Sequence, residues 1–323
     1  MFLESFLAVA EKVGLLFIFI AIGFICQRTK ILSKEANKCL ADLVMYFVTP
    51  CVIIHAFSAT VYEKGEILSL LKNVGLVAVI TAIFHVAMIG VVYAVFRNRE
   101  EDRRRILRFA AVFSNSGFVA LPLAQALIDT PTSHEGALYA AVFLAVFNIV
   151  LWTWGLSDMS GERKMNAKKI LLNPGIIGVV GGLFLLTTPL YITGGLRMPG
   201  VVTDALSGMS GLNLPLPMIM IGFYLGEANL MEAFKDGWSY ACMFLRLIVF
   251  PMALLGVLYL LGVRGNVLIV SVIGATAPVG ATTTIFAAKF NRDTELSVRL
   301  VSLSTLLSLL TMPLIVGLTQ MIA

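Results

Sequence analysis

Apolar stretches of about 20 residues recur from one end of the chain to the other, and no other feature limits the possible folds more. About 20 apolar residues form a helix long enough to cross the hydrocarbon part of a bilayer. Backbone groups inside lipid must be bonded internally, so long apolar runs in lipid are helices. The chain is 59% hydrophobic and 13% charged, whereas a soluble domain is about half apolar and about a quarter charged. The sequence therefore predicts an all-α membrane protein.

Turn and charge signals between the apolar runs predict ten membrane-spanning helices. Their expected bounds are 12–27, 39–58, 70–96, 106–128, 135–157, 170–188, 203–226, 236–262, 266–288 and 296–321. The polar segments between them have the length of loops, so no separate soluble domain is expected. Glu4 and Glu11 stand where a signal peptide carries basic residues, and the first run is therefore assigned as a span.

Positive charge is distributed unevenly over the loops. Of the 24 Lys and Arg residues, 18 follow spans 1, 3, 5, 7 and 9, five lie on the other side, and Arg246 lies within span 8. The positive-inside rule then predicts a multi-pass protein of the cell inner (plasma) membrane, with both termini outside. The net charge of +5 belongs to the cytoplasmic face of the membrane, so no nucleic-acid partner is expected.

Neither the cysteines nor the carboxylates have the spacing of a reactive site. The four cysteines, Cys26, Cys39, Cys51 and Cys242, contain no CxxC pair, and neither a disulfide nor a metal site is expected. An intramembrane enzyme needs paired carboxylates, a Ser/Lys or Ser/His arrangement, or metal ligands. The spans contain none of these, which predicts a protein that is not an enzyme and has no cofactor.

Five spans in each half of the chain predict two repeats of opposite orientation, 1–160 and 161–323, as in many secondary transporters. Span 2 contains PCVIIHAFSA from Pro50, and span 7 contains PMIMIGFYLG from Pro217. Span 4 contains SNSGFVALPL with Pro122, and span 9 contains GATAPVGATTT with Pro278. The paired motifs favour two inverted five-helix repeats.

Spans 4 and 9 are predicted to be broken helices. Proline removes one helical hydrogen bond and clashes with the preceding turn, and glycine loosens the backbone further. The freed groups are costly in lipid unless they line a cavity or meet neighbours. We therefore expect the two spans to cross near the membrane centre, with Pro122 and Pro278 at the crossover. The N-termini of the half-helices would then present N–H groups and positive dipole ends to an anion.

Uncharged polar residues lie beside both predicted breaks, and such residues hold a carboxylate by hydrogen bonds. A mid-span asparagine is costly without a function, which favours a binding role for Asn115. Small and hydroxyl residues also pack membrane helices, and this alternative stays open for the threonines. Asn148 either supports the site or bonds between helices. The expected substrate-binding residues are Ser114, Asn115, Ser116, Gly117, Asn148, Thr276, Gly280, Thr282 and Thr283, with Pro50 and Cys51 facing them from span 2.

Arg246 is the one basic residue well inside an apolar run, FLRLIVFP. Intramembrane arginine is functional by default, which makes Arg246 a candidate for coupling or gating. The alternative is a side chain that extends to the cytoplasmic interface. His55 and His85 could titrate near physiological pH, but as single histidines on apolar helices they are expected to have a packing or interfacial role.

Three motifs resemble those of the auxin efflux carrier family, in its short bacterial form related to the plant PIN carriers. They are NSGFVALPL (Asn115–Leu123), LLNPGIIG at the start of span 6, and Ala277–Leu314 with its small-Pro-x-Gly break. The resemblance covers essentially the whole chain. The plant carriers have a large central cytoplasmic loop where this chain has the short segment Asp158–Lys169.

The resemblance implies a fold like that of the PIN carriers and bile-acid symporters. Spans 1, 2, 6 and 7 would form a scaffold domain within a homodimer, and spans 3–5 and 8–10 a transport domain that slides against it as an elevator. The implied substrates are carboxylates, such as indole-3-acetate in plants and malate or malonate in bacterial relatives. Asn115 falls on the family's span-4 asparagine, and Pro122 and Pro278 on its crossover prolines. Three successive threonines in span 9 depart from the plant pattern, so plant selectivity does not transfer.

These inferences predict a secondary transporter that moves a small organic carboxylate anion out across the inner membrane. Its expected partners are the substrate, the lipid bilayer and a second copy of the chain. Two alternatives stay open: a proton- or sodium-coupled symporter for carboxylate uptake, and a membrane receptor without transport. No acidic residue lies in the broken part of span 9, which argues against a tight sodium site there.

Overall fold

The computed structural model describes residues 2–59, 66–98, 100–130, 133–162, 168, 171–187, 199–227 and 237–323. Regular structure within these ranges is helical, apart from an isolated antiparallel bridge. Two predicted spans are interrupted, and their halves are labelled a and b, as are the two halves of α7. The helices are α1 (Phe2–Arg28), α2 (34–59), α3 (Glu66–Val95), α4a (Glu101–Val112), α4b (Ser116–Ile128), α5 (Glu135–Ser160), α6 (Pro174–Thr187), α7a (Gly200–Gly211), α7b (Pro215–Glu227), α8 (Gly237–Leu260), α9a (Gly265–Thr276), α9b (Thr282–Lys289) and α10 (Thr294–Ile322).

Seven stretches of the described chain are long and apolar enough to cross a membrane. They lie in α1, α2, α3, α5, α7, α8 and α10. Shorter apolar helices, Ser116–Ile128, Gly175–Phe184 and Gly265–Thr276, stand where spans 4, 6 and 9 are predicted. The chain is therefore an all-helical, multi-pass membrane protein. The first helix begins at Phe2 rather than at residue 12, because the apolar N-terminal residues extend it.

Prolines inside three of the helices are accommodated by wide turns. Each turn has π-helical geometry and ends two residues before Pro50, Pro122 or Pro251, respectively Val44–Val48, Ser116–Ala120 and Leu245–Val249. A proline has no N–H and displaces the preceding turn, and one wide turn absorbs this change without ending the helix. The expectation that Pro122 marks the break in span 4 is therefore wrong. The break lies between Val112 and Ser116.

Glycines allow two pairs of helices to approach closely. A Cβ on Gly23 of α1 would overlap the main chain of Ile219 in α7b, and one on Gly222 would overlap the Ile20 carbonyl. A Cβ on Gly182 of α6 would likewise overlap the ring of Phe57 in α2. Small residues at membrane helix interfaces permit such contacts. Glycine therefore lets the backbones of α1 and α7b touch, and it lets the Phe57 ring of α2 pack directly on the backbone of α6.

The start of α6 and the environment of His85 agree with the sequence. Asn173 caps α6, because its Oδ1 accepts the N–H of Gly175 at 2.9 Å, and Pro174 is the first helical residue. His85 is buried, and its Nδ1 lies 2.7 Å from the carbonyl oxygen of Thr81. Its ring also contacts phenylalanines of α3 and α5. The predicted packing role of His85 is confirmed.

Candidate functional site

The two helix breaks meet and form one short piece of antiparallel backbone. The Asn115 N–H donates to the Pro278 carbonyl oxygen at 2.7 Å, and the Gly280 N–H donates to the Phe113 carbonyl oxygen at 3.0 Å. Ser114 and Val279 form the antiparallel bridge between them. Backbone groups that leave the helices thus satisfy one another, which removes most of the cost of breaking two helices inside an apolar core.

Local sequence explains the break in α9. A residue before proline avoids helical geometry, and Ala277 is extended with φ −58° and ψ 142°. A Cβ on Gly280 would lie 2.9 Å from the Ser114 carbonyl oxygen, so glycine is needed where the chains cross. The Val279 N–H donates to Ser304 Oγ of α10 at 3.0 Å. The crossing segment is therefore anchored from two sides.

Four helix ends converge at this crossing. The C-termini of α4a and α9a bring carbonyl groups that have no partner within their own helices, and the negative ends of their dipoles. The N-termini of α4b and α9b bring N–H groups and the positive ends of theirs. Because α4b begins at Ser116 and α9b begins at Thr282, both positive ends start next to the bridged segment. The crossing therefore offers N–H donors from two helices.

Polar side chains stand at both N-termini. Asn115 is 6% exposed, and its side chain makes no capping hydrogen bond to α4b. The hydroxyls of Thr282 and Thr283 are buried without a partner among the described residues. Buried polar groups are usually bonded, and each exception calls for an explanation such as a ligand.

Other predicted residues at the crossing serve its geometry. The hydroxyls of Ser114 and Ser116 lie 2.5 Å apart, and Ser114 Oγ also donates to the Gly274 carbonyl at 3.2 Å. Thr276 Oγ1 donates to the Ile273 carbonyl of its own helix at 2.9 Å. Gly117 has room for a methyl group, since a Cβ there would lie 3.6 Å from a Leu144 carbon.

Three predicted residues belong to other parts of the molecule. Asn148 Nδ2 donates to the Leu144 carbonyl of α5 at 2.8 Å and lies near Gly175 at the start of α6. Pro50 and Cys51 are half-buried in the second part of α2, which packs on α6, α7a and α5. The contacts described for these side chains do not join them to the crossing.

Arg246 of α8 binds the carbonyl ends of both first half-helices. It is 1% exposed, so the alternative in which the side chain extends to the interface is wrong. Its Nε donates to the Ala277 carbonyl at 3.1 Å, and Nη2 donates to Ala275 at 2.7 Å. Nη1 lies 3.4 Å from the Val112 carbonyl and 3.5 Å from that of Ala111. One guanidinium thus holds α4a and α9a together.

A polar cluster that the sequence analysis missed joins α3, α4a and α5. Arg108 lies over the ring of Tyr93, with its guanidinium carbon 4.0 Å from the ring centroid. Its Nη1 is 3.6 Å from Asp158 Oδ1, which also accepts the Tyr93 hydroxyl at 3.2 Å. The sequence shows a basic loop but gives no sign of the partners that lie about 50 residues away.

Two further arginines bind the C-terminal turn of α5. Arg105 donates to a carbonyl of that turn, and Arg292 donates to the Met159 carbonyl at 3.2 Å and pairs with Asp102. Positive charge is favourable at a helix C-terminus. A hydrogen bond from Arg105 to the exposed Glu101 lowers the pKa of that carboxyl. Arg105 and Arg292 therefore tie α4a, α5 and the segment between α9b and α10 into one body.

Groups of side chains suited to a metal ion are absent from the residues that the structure describes. All four cysteines are free thiols, and only Cys242 is fully buried. The groups that the described residues bring to the crossing are hydrogen-bond donors and acceptors and the ends of four helices.

Comparison with known proteins agrees with a transport role. A family model described as Membrane transport protein matches residues 8–169 and 162–316. An "Uncharacterized transporter" of Methanothermobacter thermautotrophicus is 26% identical over 318 residues, which cover 96% of this chain and 98% of that protein. A "Probable auxin efflux carrier component 5c" of Oryza sativa subsp. japonica is 31% identical over 114 residues, which cover 35% of this chain and 31% of that protein. The resemblance seen in the sequence is thereby confirmed, and the chain belongs to the membrane transport protein family, which includes the auxin efflux carriers.

Proposed function

We propose that this transporter moves a small organic carboxylate across the inner membrane. The observation that carries the proposal is the pair of buried, unbonded hydroxyls of Thr282 and Thr283 at the start of α9b, which follows the segment bridged to Ser114 beside Asn115. An unbonded buried polar group costs about 1–3 kcal/mol, and a ligand that supplies the missing bond recovers that free energy. A carboxylate has two acceptor oxygens for N–H and O–H donors, and helix N-termini favour its negative charge.

The proposed site holds an anion without a direct ion pair. Asn115, Thr282 and Thr283 are neutral, and the guanidinium of Arg246 is bonded to main-chain carbonyls. Hydrogen bonds to a charged acceptor contribute about 1.5–3 kcal/mol each. A few such bonds support binding that is specific and still reversible, as a transport cycle requires.

The pattern of helix contacts supports ten spans in two inverted repeats, 1–160 and 161–323. When each helix is exchanged for the one five positions away, several of the main contacts convert into one another. The pair α1–α7b becomes α6–α2, α1–α10 becomes α6–α5, α3–α4a becomes α8–α9a, and α4b–α5 becomes α9b–α10. Such symmetry of contacts is what two homologous halves of opposite orientation would produce.

The same contacts support a two-domain elevator. We propose that α1, α2, α6 and α7 form a scaffold, since α1 packs on α7b and α2 packs on both α6 and α7a. Helices α3–α5 and α8–α10 would form the transport domain. The crossing, Arg246, and the bonds of Arg105 and Arg292 to α5 hold this domain together. The proposed cycle slides this body against the scaffold of a homodimer.

We further propose that transport is outward and that both termini face the outside. The direction rests on the name of the rice relative, an auxin efflux carrier, and the orientation rests on the loop charges. Proteoliposomes loaded with a labelled carboxylate test the direction, and imposed proton or sodium gradients distinguish a coupled symporter from this proposal.

Binding is tested by thermal unfolding of the purified full chain with a panel of carboxylates that includes indole-3-acetate, malate and malonate. A ligand at 100 times its Kd stabilises the native state by about 2.7 kcal/mol. We expect Asn115→Ala to lose this stabilisation while it remains folded. The control Asn73→Ala removes another partly buried amide, one that bonds Tyr139 at 3.2 Å, and should keep it.

An Asn115→Ala variant that is stabilised as strongly as the wild type would remove Asn115 from the site. Stabilisation of the wild type without movement of the same compound in proteoliposomes would instead favour a receptor.

A further inference from the structure

Arg246 brings a positive charge into the core of the protein, and no described residue places a carboxylate against it. Its hydrogen bonds go to main-chain carbonyls and, at 3.7 Å, to the sulfur of Met88. The carboxylates of the described residues form their ion pairs elsewhere, for example Asp158 with Arg108 and Asp102 with Arg292. A buried charge is normally balanced by an opposite charge, and here the balancing charge is that of helix dipoles.

The helix ends at the crossing account for that balance. Each helix C-terminus carries about −0.5 elementary charge and each N-terminus about +0.5. Without Arg246 the four ends sum to about zero, and the crossing has no preference for either sign. Arg246 binds the carbonyls of α4a and α9a and offsets the two negative ends. The two positive ends, at Ser116 and Thr282, then remain uncompensated.

From this balance we propose that Arg246 sets the charge selectivity of the crossing: it neutralises the carbonyl ends of two half-helices and so makes the site selective for anions. The proposal rests on the carboxylate site proposed above, and it adds the group that makes this site prefer anions to neutral ligands. Arg246 is a positioning residue, since its guanidinium is occupied by carbonyls and donates no bond to the substrate.

The shape of the side chain fits this role. A guanidinium has five N–H donors in a planar fork, and it keeps its charge in proteins. Five carbonyl oxygens from the two half-helices lie within 3.5 Å of its nitrogens. A lysine at this position retains the charge but has only three donors, so it separates the charge effect from the structural effect.

The test compares ligands of nearly the same size and shape, one of which is an anion and the other a neutral amide. Affinities of the purified full chain are measured for indole-3-acetate and its neutral amide, indole-3-acetamide, and for malonate and malonamide. The Asn115 N–H bonds the Pro278 carbonyl at 2.7 Å, and Arg246 Nε bonds the carbonyl of the preceding residue, Ala277, at 3.1 Å. Adjacent residues are about 3.8 Å apart, so an anion at Asn115 lies on the order of 10 Å from the guanidinium. A unit charge at that distance, at an effective dielectric constant of about 20, changes anion affinity roughly tenfold. We expect Arg246→Met to lower the acid-to-amide affinity ratio by about this factor and Arg246→Lys to preserve the ratio.

A second pair of variants tests the same point with the arginine in place. Met88→Glu puts a carboxylate beside the guanidinium and cancels its charge, whereas Met88→Gln is of similar size and neutral. We expect Met88→Glu to lower the acid-to-amide ratio roughly tenfold, by the same estimate of charge and distance, and Met88→Gln to preserve it. If Arg246→Met does not fold, this pair gives the answer.

The outcomes distinguish the two proposals. A ratio that is unchanged in folded Arg246→Met, or in Met88→Glu, overturns the role of Arg246 and leaves carboxylate transport standing. Equal affinities of the wild type for acid and amide overturn the anion preference itself. A ratio that falls in Met88→Glu and not in Met88→Gln supports the proposal, because a purely structural contact has no reason to respond to the sign of the ligand's charge.

Discussion

Gly23 of α1 lies where two helix backbones touch. A Cβ at this position would overlap the carbonyl group and Cα of Ile219 in α7b, and these atoms belong to the main chain. A flexible side chain can move aside, but a helix backbone must shift as a whole, which repacks the entire interface. The hydrogen at this one position therefore decides how closely α1 and α7b approach.

We expect Gly23→Ala to lower the free energy of unfolding by about 1–3 kcal/mol, the usual effect of overpacking a filled interface. Gly14→Ala is the matched control, because it lies on the same helix and a Cβ there has nothing within 4 Å. Thermal unfolding in one detergent compares the two variants with the wild type. Equal midpoints for Gly23→Ala and Gly14→Ala would show that the two helices separate without cost.

At the same scale, the sequence identified Asn115 but not the use of its neighbours. Placing an asparagine inside the membrane costs free energy, so an asparagine in an apolar stretch indicates a function. This signal can be read without knowing the three-dimensional contacts. The bond of Ser114 to Gly274 depends on a crossing that brings residues 160 positions apart together. A sequence pattern contains the residue types but not their pairing, so binding and structural hydroxyls look alike.

At the scale of elements, two prolines that look equivalent in the sequence do different things. Pro122 lies inside α4b after a wide turn, whereas Pro278 lies in the extended segment between α9a and α9b. The break in α4 has neither proline nor glycine, and it is held open by main-chain bonds to the other break. The main-chain bonds to the segment around Pro278, rather than the composition of residues 113–115, determine where α4a ends. The sequence does not show these bonds, which is why the break was predicted at the wrong position.

This difference predicts opposite results for two proline substitutions. Pro278→Ala lets Ala277 become helical, extends α9a and disturbs the bridge, so we expect carboxylate affinity to fall by about tenfold, the loss of one charge-assisted hydrogen bond. Pro122→Ala only relaxes a wide turn and should change affinity by less than about twofold. Ligand-induced thermal stabilisation measures both, and equal losses would mean that Pro122 does belong to the crossover.

For the whole molecule, composition and loop charge were sufficient to predict a helical membrane protein. Segments that lie in lipid are apolar and about 20 residues long, and loops on the cytoplasmic side are rich in Lys and Arg. The number of spans is harder to obtain. The 12 residues of α9a extend about 18 Å at 1.5 Å per residue, short of the roughly 30 Å of hydrocarbon. Only two half-helices in series make up the full thickness, and their joint is a tertiary feature.

The proposed sliding of the transport domain against the scaffold leads to a prediction about the polar contact between α4b and the turn that joins α7a to α7b. Asn213 Nδ2 donates to Gln125 Oε1 at 3.4 Å, and Gln125 Nε2 donates to Ser210 Oγ at 3.1 Å. Gln125 belongs to the proposed transport domain, and Asn213 belongs to the proposed scaffold. If the two bodies move past one another, this contact forms in one state of the cycle and is broken in another.

The prediction is tested by cross-linking Gln125→Cys to Asn213→Cys with a short bifunctional thiosulfonate, in a background whose four native cysteines are replaced by serine. We expect the cross-link to stop carboxylate movement in proteoliposomes and a reductant to restore it. The control pair, Asn73→Cys and Tyr139→Cys, joins α3 to α5 inside the transport domain, where the native side chains are 3.2 Å apart. That cross-link should leave the rate unchanged, because it ties together parts that move as one. Transport that continues at the full rate with residues 125 and 213 linked would contradict an elevator, since a site cannot be carried past a scaffold to which its own helix is fixed.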